Sequence, residues 1–340
     1  MTRKHATVEQ VARLAGVSTA TVSRVLNGTA AVAADTERRV RDAIELLAFN
    51  PAPQARGLRT GRTGNIALIV PSITNPFFPE LMAHVSREVR GRGYSMLLFD
   101  SPEPEKEGVR VARSRLADGI ILVGSTSPAA ARPPAEMTDV PVVAFDRRPQ
   151  ALSAPVIQVD NYEGARAVVR HLGERGHRRI VFISGPRGVS VSADRARGYR
   201  AGLRDLGIAP DKALTIAGEF DEDSGYAATV RLLRRPAPPA FTALFAANDM
   251  MAIGAMSALR DHGVAIPSQV AVAGFDGIHL GRYVAPSLTT YAQPTAELAR
   301  RAAELLAAAI AGSPAPPART LRLPGSLIIR DSTAPAAPPA

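Results

Sequence analysis

The sequence predicts an N-terminal all-α helix-turn-helix head followed by an α/β core of two similar lobes, and three observations predict it. Residues Thr7–Leu26 carry two short runs of helical periodicity separated by Gly16-Val17. From Asn65 onward, short continuous apolar runs alternate with amphipathic stretches, the pattern of parallel strands covered on both faces. Finally, 340 residues at 46% hydrophobic content suffice for several cores.

In the head, Val8, Val11, Ala12 and Ala15 give the first helix one apolar face, and Ser18 can cap the second. Val22, Val25 and Leu26 then face inward, leaving Thr19, Ala20, Ser23 and Arg24 outward. A third helix is predicted over 35–49, with Val40, Ile44 and Leu47 at core spacing. Pattern alone leaves two readings open, an ordinary helical bundle and a DNA-reading head.

The run VARLAGVSTATVSRVLN resembles the headpiece of the lactose-repressor/galactose-repressor family of transcription regulators, whose members carry A-x-x-A-G-V-S-x-x-T-V-S-R-V-x-N. The resemblance implies that residues 1–50 bind DNA, with the second helix in the major groove and contacts from Ser18, Thr19, Ala20, Thr21, Ser23, Arg24 and Asn27. The Arg24 guanidinium can bond a guanine bidentately or clamp a phosphate. Thr19 offers a hydroxyl and a methyl, Ala20 only a methyl. Two positions depart from the family: Ala33 stands where serine is frequent and Phe49 where tyrosine is frequent, so each lacks a polar contact.

Residues 51–64 lie in NPAPQARGLRTGRTG, which by composition is a flexible linker. The resemblance implies a hinge helix here, pairing with its dimer mate, with Arg56 on DNA and Leu58 wedged into the minor groove. Gly57 makes the isolated segment a poor helix, so its ordering should depend on DNA and dimerisation.

The core, 65–330, has strand-like runs NIALIV, YSMLLF, GIILV, PVVAF, VIQV, RIVFI, ALTIAG, TALFA and VAVAGF, with helical stretches such as Pro79–Arg92, Tyr162–Arg175, Asp194–Leu206 and Asp249–His262 between them. This length exceeds one ordinary sheet. The resemblance, which extends to periplasmic sugar-binding proteins, implies two Rossmann-like subdomains joined by three crossings near Asn161, Tyr291 and Arg322. The N-subdomain would be 65–160 and 291–321, the C-subdomain 161–290 and 322–330. The segment 101–118 is shorter than the family norm, and Gly108 is expected to break its helix. Residues 331–340, DSTAPAAPPA, are expected to be a disordered tail without a leucine heptad, which favours a homodimer reading a pseudo-palindromic operator in double-stranded DNA.

In doubly wound sheets ligands bind beyond the carboxyl ends of the strands. The strand-following segments here include 72–78, 184–195, Asp146, Asp160, Phe220, Asn248-Asp249 and Asp276. By resemblance, the effector-contacting positions are Phe77, Asp146, Asp160, Arg195, Phe220, Asn248, Asp276 and Gln293, with Arg195 and Asp276 the leading pair. One forked donor, several carboxylates, an amide and aromatic faces suit a sugar, although Phe77 and Phe220 could equally stack on a purine. Strand-end aspartates also cap helices, and Asp249 is the position where that role is most plainly available.

The net charge of +10, from 41 basic and 31 acidic residues, fits a polyanionic partner. With no cysteine, disulfides, thiolate metal sites and cysteine nucleophiles are excluded. The six histidines show no metal spacing, 184–188 lacks the Lys-Ser/Thr of a phosphate-cradling loop, and no G-x-S-x-G elbow occurs. No catalytic residue, metal or cofactor is therefore expected. The first residues lead straight into the helix pair and no run of eighteen apolar residues follows, so the expectation is a cytoplasmic protein without a membrane partner. The expected function is an effector-controlled repressor. A transport-type sugar-binding module and an α/β enzyme with a DNA-binding head are the competing classes.

Overall fold

The computed structural model describes residues 6–27, 31–49, 62–124, 140–146, 154–235, 240–313 and 320–333. The chain divides into two compact units, Met1–Gly64 and Asn65–Ala340.

In the first unit, α1 spans Val8–Ala15, α2 Thr19–Asn27 and α3 Ala34–Leu46. Helix α1 starts where Thr7 and Gln10 satisfy each other's backbone N–H groups, a capping box. It ends at Gly16, whose φ of 63° lies in the left-handed region that ends helices cheaply only for glycine. Ser18 Oγ accepts from Thr21 N at 3.2 Å and so caps α2. Val11, Ala12, Ala15, Val22, Val40 and Ala43 form the buried core, with Val8, Val25, Leu26, Ile44 and Leu47 half-buried around it. Helix α3 stops at Leu46 rather than continuing to 49, because Ala48 turns to φ 44° and Phe49 N bonds back to Ile44 O.

Among the described residues the second unit holds two six-stranded sheets. The first is formed by β1 (Asn65–Val70), β2 (Ser95–Asp100), β3 (Gly119–Val123), β4 (Val142–Phe145), β5 (Val156–Val159) and β11 (Thr320–Leu323), in the order β11-β5-β4-β3-β1-β2 and entirely parallel. It is covered by α4 (Phe77–Arg90), α5 (Pro104–Arg113) and α10 (Thr295–Ile310). The second is formed by β6 (Ile180–Ser184), β7 (Thr215–Ala217), β8 (Ala243–Ala246), β9 (Ala271–Asp276), β10 (Thr289–Ala292) and β12 (Ser326–Ile328), in the order β12-β10-β9-β8-β6-β7. All its pairs are parallel except the edge pair β10/β12. Its helices are α6 (Asn161–Glu174), α7 (Ser190–Asp205), α8 (Glu222–Leu233) and α9 (Asp249–Asp261).

Period-two alternation divides the first lobe's apolar residues between the two faces of its sheet. Ile66, Leu68, Val70, Ile121 and Val123 meet α4 and α10, whereas Ala67, Ile69, Ile120 and Leu122 meet α5. The second lobe buries Phe182, Phe245 and Phe275 completely.

Several expectations need correction. The second and third crossings fall after Ala292 and after Leu323, because Tyr291 is held in β10 opposite Phe275 and Arg322 in β11 opposite Gln158. Helix α5 runs unbroken through the buried Gly108. The first residues of the expected tail are packed: Ser332 lies fully buried, Val272 N donates to its carbonyl at 2.8 Å, and its Oγ donates to Val272 O at 2.6 Å. Residues 334–340 and residues 51–61 of the hinge, with Arg56 and Leu58, lie outside the described residues. Among the described residues no helix is long and apolar enough to cross a membrane.

Candidate functional site

The head presents α2 with Ser18, Thr19, Ala20 and Arg24 exposed and with Thr21 and Ser23 half-buried. Val22 between them is fully buried, which fixes the helix's rotation, and Asn27 is the last residue of α2. A helix held by its apolar stripe and offering small side chains and one guanidinium is shaped to lie in a groove.

In the core, a cleft opens where strand ends of both sheets converge. Phe77 and Phe78 reach it from the start of α4, Asp146 from the end of β4, Arg195 from α7, Asn248 from the start of α9, Asp276 from the end of β9 and Gln293 from just beyond β10. Phe220 also lines it. Seven of the eight expected positions thus share one cavity, and Asp160 does not. Its carboxylate accepts from Glu163 N at 3.1 Å, because the first free N–H groups of α6 lie closer than the cleft.

Arg195 organises the floor. Its side chain is almost wholly buried, with Nη2 3.2 Å from Asp276 Oδ1. Nε donates to Asn161 Oδ1 at 2.8 Å and Nη1 to Ala247 O at 2.6 Å. The guanidinium carbon lies 3.8 Å from the centroid of the Phe275 ring, which adds cation–π attraction in a dry setting. Burial makes these partners obligatory, since an uncompensated guanidinium here would be costly.

Gln293 Nε2 donates to Asp276 Oδ1 at 2.8 Å, which fixes the amide's orientation because a carboxylate can only accept. Its Oε1 is buried with no hydrogen-bond partner among the described residues, as is Ser192 Oγ. Asn248 caps α9 through Met251 N at 3.0 Å and donates from Nδ2 to Phe220 O at 2.9 Å. Asp146, Phe220 and Asp276 adopt φ of 58°, 71° and 115°, conformations unusual for residues other than glycine. Such strain gathers where a site must be held in one shape.

Asp249 is not the helix cap. It lies beneath the floor, fully buried, and accepts from Thr290 Oγ1 at 2.6 Å and from the backbone N–H groups of Gly277 and Ile278 at 2.8 and 2.9 Å. Burial, and then the nearby Asp276 charge, push its carboxyl up to about 8 against the lowering effect of those bonds. Asn75, Phe78, Val191 and Asn161 were not expected at the site. The first three belong to strand-following segments marked in the sequence, whereas Asn161 was marked only as a crossing between subdomains.

A family model described as "Bacterial regulatory proteins, lacI family" matches residues 7–52, and one described as a periplasmic binding protein-like domain matches 169–333. The chain is 34% identical to the HTH-type transcriptional repressor PurR of Vibrio atlanticus over 305 residues, 88% of this chain and 91% of that protein. It is 34% identical to the ribose operon repressor of Halalkalibacterium halodurans over 330 residues, 96% of this chain and 97% of that one. A crystal structure of the Lac repressor dimer bound to operator and the anti-inducer ONPF matches with a TM-score of 0.86 at 27% identity, covering 97% of this chain and all of that one. The chain belongs to the lacI family of bacterial regulatory proteins and is a DNA-binding transcriptional repressor.

Proposed function

We propose that this repressor reads a pseudo-palindromic operator as a homodimer and is controlled by a polyhydroxy effector, a sugar of monosaccharide size, bound in the core cleft. The observation that carries the reading is the Arg195–Asp276–Gln293 cluster, whose Gln293 Oε1 is an oriented acceptor with no donor among the described residues. A sugar hydroxyl supplies that donor. Phe77 and Phe220 offer apolar faces to the ring's C–H groups. The ribose named for the Halalkalibacterium halodurans relative is of this size and class, which makes D-ribose the first probe.

On DNA, α2 enters the major groove, Arg24 bonds a base edge or a phosphate, and Thr19 and Ala20 offer methyl contacts. Leu58 of the hinge wedges a base step in the minor groove. The effector acts by binding one lobe arrangement better than the other, which changes whether the paired hinges can form; without such differential affinity it would switch nothing.

Thermal-shift titration of the full chain with D-ribose, other monosaccharides, adenine and adenosine tests the effector class, since a ligand of the folded state raises its stability. The expected result is a rise with a monosaccharide, lost in Arg195→Ala while that variant still shifts operator DNA. A rise with nucleobases and none with sugars would replace the sugar by a purine, the reading the two phenylalanines also allow. DNA binding that is indifferent to sequence and quenched by salt would reject specific operator recognition.

A further inference from the structure

We propose that Glu80 is a positioning residue that registers the effector-facing Asp276 of one lobe against the other lobe, through the backbone of residues 277–279. Three successive N–H groups beyond β9 donate to carboxylates from different lobes. Gly277 and Ile278 donate to Asp249 Oδ2, within their own lobe, at 2.8 and 2.9 Å. The next, His279 N, donates to Glu80 Oε1 on α4 of the opposite lobe at 2.8 Å. Glu80 lies one helical turn past Phe77, which lines the cleft.

The side chains repeat this division. Ile278 leaves the second lobe's sheet, yet its side chain is 1% exposed within the first lobe's apolar cluster beside Phe77 and Phe78. Asp276 immediately precedes the segment with φ 115°, a conformation that persists only when its neighbours determine it. The Asp249 bonds do so from within the second lobe, and the bond from Gln293 N to Asp276 O at 3.1 Å does so from the crossing just beyond β10. Because Asn248 fills the cap of α9, Asp249 is left to hold this turn.

The two carboxylates therefore differ in what lobe motion does to them. The Asp249 bonds travel with the second lobe, whereas the Glu80 bond must be kept or broken when the lobes rotate. An effector that pulls on Asp276 acts three residues away from that bond. The inference rests on the lobe-coupled control of operator binding proposed above and not on the identity of the effector.

The test uses the effector-free full chain carrying Glu80→Ala or Glu80→Gln, the latter retaining an acceptor carbonyl. Amide hydrogen exchange of the stretch 277–283 and operator affinity by fluorescence anisotropy are both measured. Glu80→Ala should speed exchange there and alter operator affinity several-fold with little change in thermal midpoint, and Glu80→Gln should restore both. Unchanged exchange in Glu80→Ala, or faster exchange with wild-type operator affinity, would overturn the proposal. So would equal effects of both variants, because a lost packing contact would not be rescued by glutamine alone. Neither measurement contains a sugar, so a protein indifferent to D-ribose fails the effector reading and leaves this test standing.

Discussion

The buried Asp249 gives a sign to the pH dependence of the core. Its folded-state carboxyl, raised to about 8 first by burial and then by Asp276, holds a proton across a range in which an unfolded aspartate, near 3.8, has lost it. Folding then takes up a proton, and stability falls as pH rises towards 8. His171 acts oppositely at lower pH: burial, then Arg175 and His177, hold it down to about 4 from 6.5, so its contribution rises with pH and is complete above 6.5. Between pH 6.5 and 8 the Asp249 effect acts without that opposition, on the order of 2 kcal/mol at about 1.4 kcal/mol per unit. Urea unfolding of the core should show this loss in the wild type and a flatter profile in Asp249→Asn; identical slopes would mean that Asp249 is ionised throughout. At this scale the sequence was partly legible. The Arg195–Asp276 pair was legible through the family resemblance, and the two meet at 3.2 Å. Asp160 could not be told from Asp276, since both end strands and only the local geometry decides whether the carboxylate turns to a helix N–H or to the cleft.

The helices and strands divide the same way between what burial dictates and what hydrogen bonding alone dictates. Runs such as NIALIV and GIILV announce themselves because sheets buried on both faces need continuous apolar residues. The short strands β10, β11 and β12, with sequences TTYA, TLRL and SLI, carry no such signature and are placed by pairing with β9, β5 and β10. The packed start of the C-terminal segment is similar, for its hold on the core is polar. Ser332 Oγ donates to Val272 O and accepts from Thr289 N at 2.8 Å, and Thr333 Oγ1 lies 3.0 Å from both His171 Nε2 and Thr289 Oγ1. Ser332→Ala should therefore lower the stability of the core by about 1–3 kcal/mol, the cost of leaving buried groups without partners. Denaturant unfolding monitored by circular dichroism measures this, and a loss below a few tenths would show that the segment is not held in solution. Glycine explains another element-scale feature that periodicity misses. At Gly254 a methyl group would overlap the Glu222 carbonyl oxygen, so α8 and α9 approach backbone to backbone.

At the scale of the whole molecule, the proposed control is a coupling free energy between cleft and operator, and such a coupling is reciprocal. If a sugar that stabilises the core weakens operator affinity by some factor, the operator must weaken affinity for that sugar by the same factor, whichever lobe contacts carry the message. The head's share of operator affinity depends strongly on salt, because phosphate contacts release counterions, whereas a cleft built on the buried Arg195 and Asp276 is screened far less. Raising salt should therefore reduce operator affinity steeply while leaving the sugar's dissociation constant, measured without DNA, nearly unchanged. The coupling factor should change little over the same range, since it is a ratio in which the phosphate contribution largely cancels. Titrating the sugar with and without operator at two salt concentrations measures all three quantities. Unequal factors in the two directions would mean that sugar and operator do not act on one shared equilibrium of lobe arrangements.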